Sequence, residues 1–230
     1  MRCAECQPEE AAQHYSEAGN VLRKENAGQA VEYYNRAVEM LASAGRISQA
    51  ARMRKQIAEI YEADDMYALA AQNYMQAAEF FEMDNTDSTA NACKLKAADF
   101  FIEDSLTSET IVFSIKIYEE VGYKYLMHNL TKYSAKDCFF KAGLLYLAND
   151  DCVGCENAIN NYTSRDPSFE TSRENGLLLE LLSATRAQNT NDFETSIYNF
   201  NRITPLDRWK TKVLLKAKSY LNQSDALDFS

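Results

Sequence analysis

The sequence predicts an all-α fold of stacked antiparallel helical hairpins. The chain of 230 residues contains only 7 Gly and 3 Pro, too few for a β-sandwich or barrel, which needs a turn roughly every 8–12 residues. A triplet of the form small-x-x-x-aromatic-x-x-small recurs along the chain, and its offsets of four and three place it on one helical face. The shortage of Gly also disfavours phosphate-binding loops, and neither a Walker motif nor a dinucleotide fingerprint occurs.

The triplet recurs at steps of 38 to 44 residues in two interleaved registers. The aromatic positions of the first register are Tyr34, Tyr74, Tyr118, Tyr162 and Phe200. The triplets of the second register begin at Ala11, Ala51, Asn91 and Ala135. Two helices in each unit of about 40 residues are typical of an α-solenoid related to tetratricopeptide repeats (TPR-like). We expect these triplets to pack the hairpins together and to have no direct function.

Local signals delimit the helices. Pro8 suits a first helical turn, Asp166-Pro167 separates two helices, and Pro205 followed by Asp207 opens the last one. The predicted helices are about 8–25, 27–44, 46–62, 65–83, 87–103, 107–121, 132–148, 151–164, 169–188, 192–202 and 206–222. We expect three regions: a TPR-like hairpin sheet over 1–148, a C-terminal helical bundle over 149–222, and a flexible acidic tail over 223–230.

The charge balance argues against nucleic acid as a partner. The chain has 24 Lys and Arg against 34 Asp and Glu, a net charge of −10, which favours solubility and opposes non-specific nucleic-acid binding. A local basic face remains compatible with this total and must be sought by position. No apolar run of 18 residues and no signal-peptide pattern occurs in the sequence, so we expect a cytoplasmic protein.

The cysteines and histidines raise one chemical alternative. Two C-x-x-C pairs, Cys3/Cys6 and Cys152/Cys155, could form a zinc or redox site. They lie 149 residues apart with no His at zinc-finger spacing, and two acids directly before Cys152 would raise its pKa, against a reactive thiol. His14 and His128 are isolated, so no catalytic set can be assembled. We expect neither an enzyme nor a cofactor.

Five segments carry a resemblance to a known family. The most specific is the run Lys-Tyr-Ser-Ala-Lys-Asp-Cys-Phe-Phe-Lys-Ala over 132–142. The others are Ala18-Gly19-Asn20, Arg36-Ala37-Val38-Glu39-Met40, Ala58-Glu59-Ile60-Tyr61-Glu62 and Leu206-Asp207-Arg208-Trp209. In this order they resemble the α/β-type soluble NSF attachment proteins, the SNAP adaptors, over essentially the whole chain. The family's first roughly 70 residues, about two repeats, are expected to be missing, and with them an apolar membrane-touching loop.

The resemblance implies two partners. SNAP adaptors are twisted sheets of helical hairpins that end in a compact bundle. They bind four-helix SNARE bundles of the syntaxin type side-on and recruit the hexameric ATPase NSF. This implies a cytoplasmic adaptor that associates peripherally with membranes through SNAREs. A SNARE bundle is acidic, and the SNARE-binding positions carried over are Arg46, Arg52, Lys94, Lys96, Lys132, Tyr133 and Lys136. Among them, Lys94 is the neighbour expected to replace a family lysine, because this sequence has Ala92 there.

The NSF-facing side matches the family less completely. The resemblance assigns Asp150, Leu227, Asp228 and Phe229 to NSF binding. Three further positions that are acidic in the family are Ser183, Arg186 and Ala187 in this chain. One alternative is therefore a divergent or truncated relative that binds SNAREs but stimulates NSF poorly. Another is a generic TPR-like scaffold for peptides, which would require a convergent Lys/Asn/Arg set in one groove.

Overall fold

The computed structural model describes residues 8–227, with side chains over 8–221. The part of the chain it describes folds into α helices and one 3-10 helix, Lys132–Ser134, without strands. The helices are α1 (Pro8–Leu22), α2 (Ala27–Ser43), α3 (Ile47–Ala63), α4 (Tyr67–Met83), α5 (Asp87–Asp104), α6 (Ser108–Leu126), α7 (Ala135–Ala148), α8 (Cys152–Arg165), α9 (Pro167–Glu170), α10 (Arg173–Arg186), α11 (Thr190–Asn201) and α12 (Arg208–Leu227). They pack in successive adjacent pairs, so the predicted all-α, TPR-like fold is confirmed.

The first of two compact units ends at Asp104 and contains α1 to α5. Each helix packs against the next one along the chain. The first-register residues Tyr34 and Tyr74 are fully buried, and so are the alanines on either side of them in the triplets. These small residues let the helix backbones approach, and the aromatic ring fills the space between them. The tyrosine hydroxyls donate to Asn20 Oδ1 at 2.8 Å and to Glu62 Oε2 at 2.5 Å, respectively.

The short connections between helices share one backbone motif. A residue with positive φ follows α2, α3, α4, α7 and α10; these residues are Gly45, Asp65, Asn85, Asp150 and Gln188. After α2, the amide of Arg46 donates to the carbonyl of Leu41 at 2.8 Å, which closes the helix in a Schellman motif. Because Asp and Asn tolerate the left-handed conformation, the chain needs few glycines.

The second unit begins at Ser105 and contains α6 to α12. Its central element is α7, which packs against α6, α8, α10 and α12 and has ten buried residues. Phe139 of α7 stacks on Tyr162 of α8 with ring centroids 4.4 Å apart, and Phe169 of α9 meets both rings edge-on. Tyr118 and Phe200 are also buried, as the first register predicts.

The structure corrects the predicted helix boundaries most clearly in three places. Helix α12 continues to Leu227 instead of ending near residue 222. Helix α6 continues to Leu126 instead of ending near residue 121. The segment predicted as one helix over 169–188 is two, because the Ser172 side chain accepts from the Asn175 amide and caps α10 separately from α9. The predicted domain boundary at residue 148 lies within the second compact unit, and the predicted domain division stays a prediction.

Two glycines of the second unit test how tightly α7 is packed. A Cβ at Gly143 would lie 2.5 Å from Leu178 Cδ1, whereas a Cβ at Gly176 would meet nothing within 4 Å. We expect Gly143→Ala to lower the free energy of unfolding by about 1 kcal/mol, because overpacking outweighs the gain in helix propensity. Gly176→Ala should raise it by up to about 1 kcal/mol. Urea denaturation measures both, and equal stabilisation by the two would contradict this packing.

Candidate partner-binding surface

Arg46 is held at the surface of the first unit by an ion pair. It is the residue before α3, and its guanidinium donates from Nε to Glu9 Oε1 at 2.7 Å and from Nη2 to Glu9 Oε2 at 3.0 Å. These hydrogen bonds lower the pKa of Glu9 and raise that of Arg46. Both side chains are about half exposed. The pair joins α1 to α3 and fixes where the cation stands, as expected of a bidentate Arg–carboxylate contact.

Arg52 lies six residues further along the chain, in α3, and is exposed. It lines a groove of about 560 Å³ between α1 and α3, and also a groove of about 410 Å³ between α3 and α5. No ion pair or hydrogen bond partner for its guanidinium is found among the side chains described. Arg52 is therefore uncompensated in the sense that no described carboxylate pairs with it, although Glu9, Glu17 and Glu59 also line the two grooves.

Lys96 of α5 combines exposure with contacts to the hairpin core. Its ammonium lies 2.8 Å from Glu62 Oε2 and 3.2 Å from the Tyr74 hydroxyl, and it stands over the Tyr74 ring at 5.1 Å from the centroid. Burial, followed by the hydrogen bond to Glu62, raises the pKa of Tyr74. The side chain of Lys96 is 48% exposed, so it remains accessible to a partner.

Lys94 occupies a different environment from the other predicted SNARE-binding residues. It is only 8% exposed, and its ammonium lies 2.8 Å from Glu82 Oε1 at the end of α4. Ala92, the position it was expected to replace, is exposed. Two residues correspond to about 200° around a helix, so the two side chains leave α5 on opposite sides. The predicted role of Lys94 stays a prediction.

The remaining predicted SNARE-binding residues lie in the second unit. Tyr133, in the 3-10 helix, is 76% exposed, and the ammonium of Lys132 stands 5.2 Å from its ring centroid. Lys136, in the first turn of α7, pairs with Glu174 of α10 at 3.0 Å. Met127 and Leu130, in the irregular segment just before, are 81% and 96% exposed. Sequence reasoning missed these two, although apolar residues between two helical patterns were the available signal.

The predicted NSF-binding residues are described only in part. Asp150 is exposed in the turn between α7 and α8, with φ of 57°. Leu227 is the last residue of α12, and its side chain lies outside the described range. Asp228 and Phe229 also lie outside the described residues. Among the three positions that lack the family's acids, Arg186 makes a bidentate ion pair with Glu156 of α8, at 3.1 and 2.6 Å.

Cys152 and Cys155 are in an environment that opposes thiolate chemistry. Burial raises the pKa of Cys155 to about 12, and its Sγ lies 3.7 Å from the carbonyl of Gly143. Burial also raises the pKa of Cys152, and the negative charge of Asp150 raises it further, as the sequence predicts. Within residues 8–227, no group of three His, Cys, Asp or Glu side chains could hold a metal ion. Cys3 and Cys6 lie outside the described residues.

Stacked hairpins that expose cations beside surface grooves define a helical-repeat binding protein. The family model described as "Soluble NSF attachment protein, SNAP" matches residues 1–222. The α-soluble NSF attachment protein of Dictyostelium discoideum is 36% identical over 86% of this chain and 67% of its own length. The human α-soluble NSF attachment protein is 34% identical over 95% and 72%, and a probable vesicular-fusion protein sec17 homolog of Schizosaccharomyces pombe is 33% identical over 94% and 74%. The chain therefore belongs to the soluble NSF attachment protein family.

In the stretch from Pro8 to Leu227, no helix combines the length and the apolarity needed to cross a bilayer.

The burial of Lys94 makes its structural contribution measurable. We expect Lys94→Met to lower the free energy of unfolding by about 1–2 kcal/mol, because Glu82 would lose its cation in a partly buried place. Lys24→Met, at an exposed position in the turn after α1, should change stability by less than about 0.5 kcal/mol. Denaturant titration of both variants compares them, and equal small effects would show that the Lys94–Glu82 pair contributes nothing to stability.

Proposed function

We propose that this chain binds assembled SNARE complexes and recruits the NSF ATPase for their disassembly in vesicle fusion. Membership of the soluble NSF attachment protein family carries the adaptor role. In this proposal the partners are a four-helix SNARE bundle of the syntaxin type and the NSF hexamer. The chain itself has no catalytic activity. It is a cytoplasmic protein that associates with membranes through its SNARE contact. The observation that supports the SNARE-binding surface is the uncompensated Arg52 between two grooves, with Arg46 just before α3 and Lys96 on α5 each held by an ion pair.

The proposed SNARE contact is electrostatic. A broadly acidic bundle laid across α1, α3 and α5 would meet Arg52 directly, whereas Arg46 and Lys96 would share their charge with Glu9 and Glu62. Such rim charges raise the association rate and set orientation more than they raise affinity. Lys132, Tyr133 and Lys136 supply a second group of contacts in the other unit. In this proposal Lys94 has a structural role, because its ion pair with Glu82 joins α5 to the end of α4.

The proposed NSF contact has fewer acidic residues than the family pattern. Asp150 supplies one exposed carboxylate, and Leu227, Asp228 and Phe229 would supply the terminal contact. Arg186 places a cation where the family has an acid and neutralises Glu156 beside it. This pair is the specific observation in favour of the second candidate function, an adaptor that binds SNAREs but stimulates NSF poorly.

Reversal of the uncompensated cation tests the SNARE surface. We expect Arg52→Glu to weaken binding to a preassembled SNARE complex about tenfold at low salt, with a smaller effect at high salt, because exposed charges are screened. Lys116→Glu, an exposed position on α6, is the matched control and should bind as the wild type. Fluorescence anisotropy measures both. Unchanged binding by the triple reversal of Arg46, Arg52 and Lys136 would exclude this surface.

Two aspartates in equivalent turns test the NSF contact. Asp150 and Asp65 both have φ of 57°, and Asn tolerates that conformation, so Asp→Asn removes only the charge. We expect Asp150→Asn to reduce stimulation of NSF ATPase activity on preassembled SNAREs several-fold, because a rim charge that faces a basic partner is lost. Asp65→Asn should leave stimulation unchanged. Full stimulation by the wild-type chain would exclude the second candidate function, and equal effects of the two variants would remove Asp150 from the contact.

A further inference from the structure

An apolar groove lies between α11 and α12 in the second unit, and none of the residues that line it is assigned to SNARE or NSF binding. Its volume is about 390 Å³, and its apolar lining consists of Ile197, Tyr198, Leu206, Leu214 and Leu215. Tyr198 and Leu215 are each 63% exposed. Apolar side chains clustered and exposed in this way are typical of interaction sites.

The hairpin that forms the groove carries a positive net charge, although the chain as a whole is acidic. Residues 190–227 contain six Lys and Arg against four acids, whereas the whole chain has a net charge of −10. Two of the four acids have cationic partners, since Glu194 pairs with Lys218 and Asp207 with Lys210. The charge left over in this region is therefore positive.

Two of these cations border the groove. The guanidinium of Arg202 stands over the ring of Tyr198, 5.8 Å from its centroid. Arg208 precedes Thr211 and Leu215, which line the groove, by three and seven residues, so it lies on the same face of α12. It is exposed, and no ion pair is found for it within the described side chains.

We infer that this groove binds a single amphipathic helix that carries acidic residues beside an apolar stripe. On each helix the first and last lining residues are seven residues apart, 194 to 201 on α11 and 211 to 218 on α12. That separation is about 10 Å and matches two turns of a bound helix with apolar anchors at i, i+3 or i+4, and i+7. Its carboxylates would meet Arg202 and Arg208. An assembled four-helix bundle would not fill the groove, because its apolar stripes face its own core. The basic NSF surface that the family pattern implies would be repelled.

The probe is a synthetic helical peptide of 18 residues with leucines at that spacing and glutamates on both sides, labelled with fluorescein. We expect anisotropy to show binding by the wild-type chain and at least about tenfold weaker binding by Leu215→Ser, because a central apolar contact is lost. Arg208→Glu should weaken binding several-fold at low salt and less at high salt. Val153→Ser and Lys116→Glu are the matched controls, since Val153 is an apolar side chain 66% exposed on α8 and Lys116 an exposed cation on α6.

Four results would overturn the inference. One is no binding of the acidic peptide by the wild-type chain. A second is equal binding of a peptide with lysines in place of the glutamates, and a third is equal weakening by Leu215→Ser and Val153→Ser. The fourth is binding of wild-type protein, but not of Leu215→Ser, to vesicles of phosphatidylserine and phosphatidylcholine without peptide binding, which would assign the groove to a lipid surface.

A separate measurement distinguishes this inference from the proposed function. Leu215→Ser should bind preassembled SNARE complexes and stimulate NSF as the wild type does. Loss of SNARE-complex binding in that variant would place the groove within the SNARE contact and overturn the inference of a separate helix site.

Discussion

Each hairpin of the first unit depends on a buried tyrosine whose hydroxyl must find a partner. A buried hydroxyl without a hydrogen bond costs about 1–3 kcal/mol, so the ring can fill the interhelical space only where an acceptor stands at its end. Asn20 is that acceptor for Tyr34 and Glu62 for Tyr74. The acceptor lies on the preceding helix of the hairpin, so one hydrogen bond sets both the spacing and the register of the pair.

Glu62 connects this buried hydrogen bond to an exposed cation. The same carboxylate accepts from the buried Tyr74 and from the ammonium of Lys96. A cation proposed to meet a partner is therefore held by an atom whose position the core determines. In the second unit, Glu119 has the corresponding place in the core, because its Oε1 accepts from Tyr162 at 2.6 Å and from Tyr146 at 3.3 Å. Exposed charges on this scaffold stand at defined positions because such contacts order the helices beneath them.

The sequence predicted the repeat and the buried aromatic positions because both follow from local periodicity. It mispredicted the segment over 169–188, where the break depends on the side chain of Ser172 and not on Gly or Pro. The burial of Lys94 was predictable in principle. It lies three residues after Asn91 and four before Ala98, on the face of the packing triplet. For Met127 and Leu130, the sequence showed apolar residues between two helical patterns, but the extent of their exposure depends on how an irregular segment leaves α6.

The net charge of this molecule is a poor guide to its partners because its positive and negative side chains are unevenly distributed over the surface. The total of −10 predicts repulsion from an acidic SNARE bundle, yet Debye screening limits each charge to a range of about 8 Å at physiological ionic strength. Within that range, a partner docked at Arg52 or at the cations of α12 would experience the charge of those residues and not that of the chain as a whole. Many of the acids that make the total negative are already paired, as Glu9 and Glu194 are. An acidic adaptor can thus offer basic faces to acidic helices, provided that each face contains a cation with no carboxylate of its own.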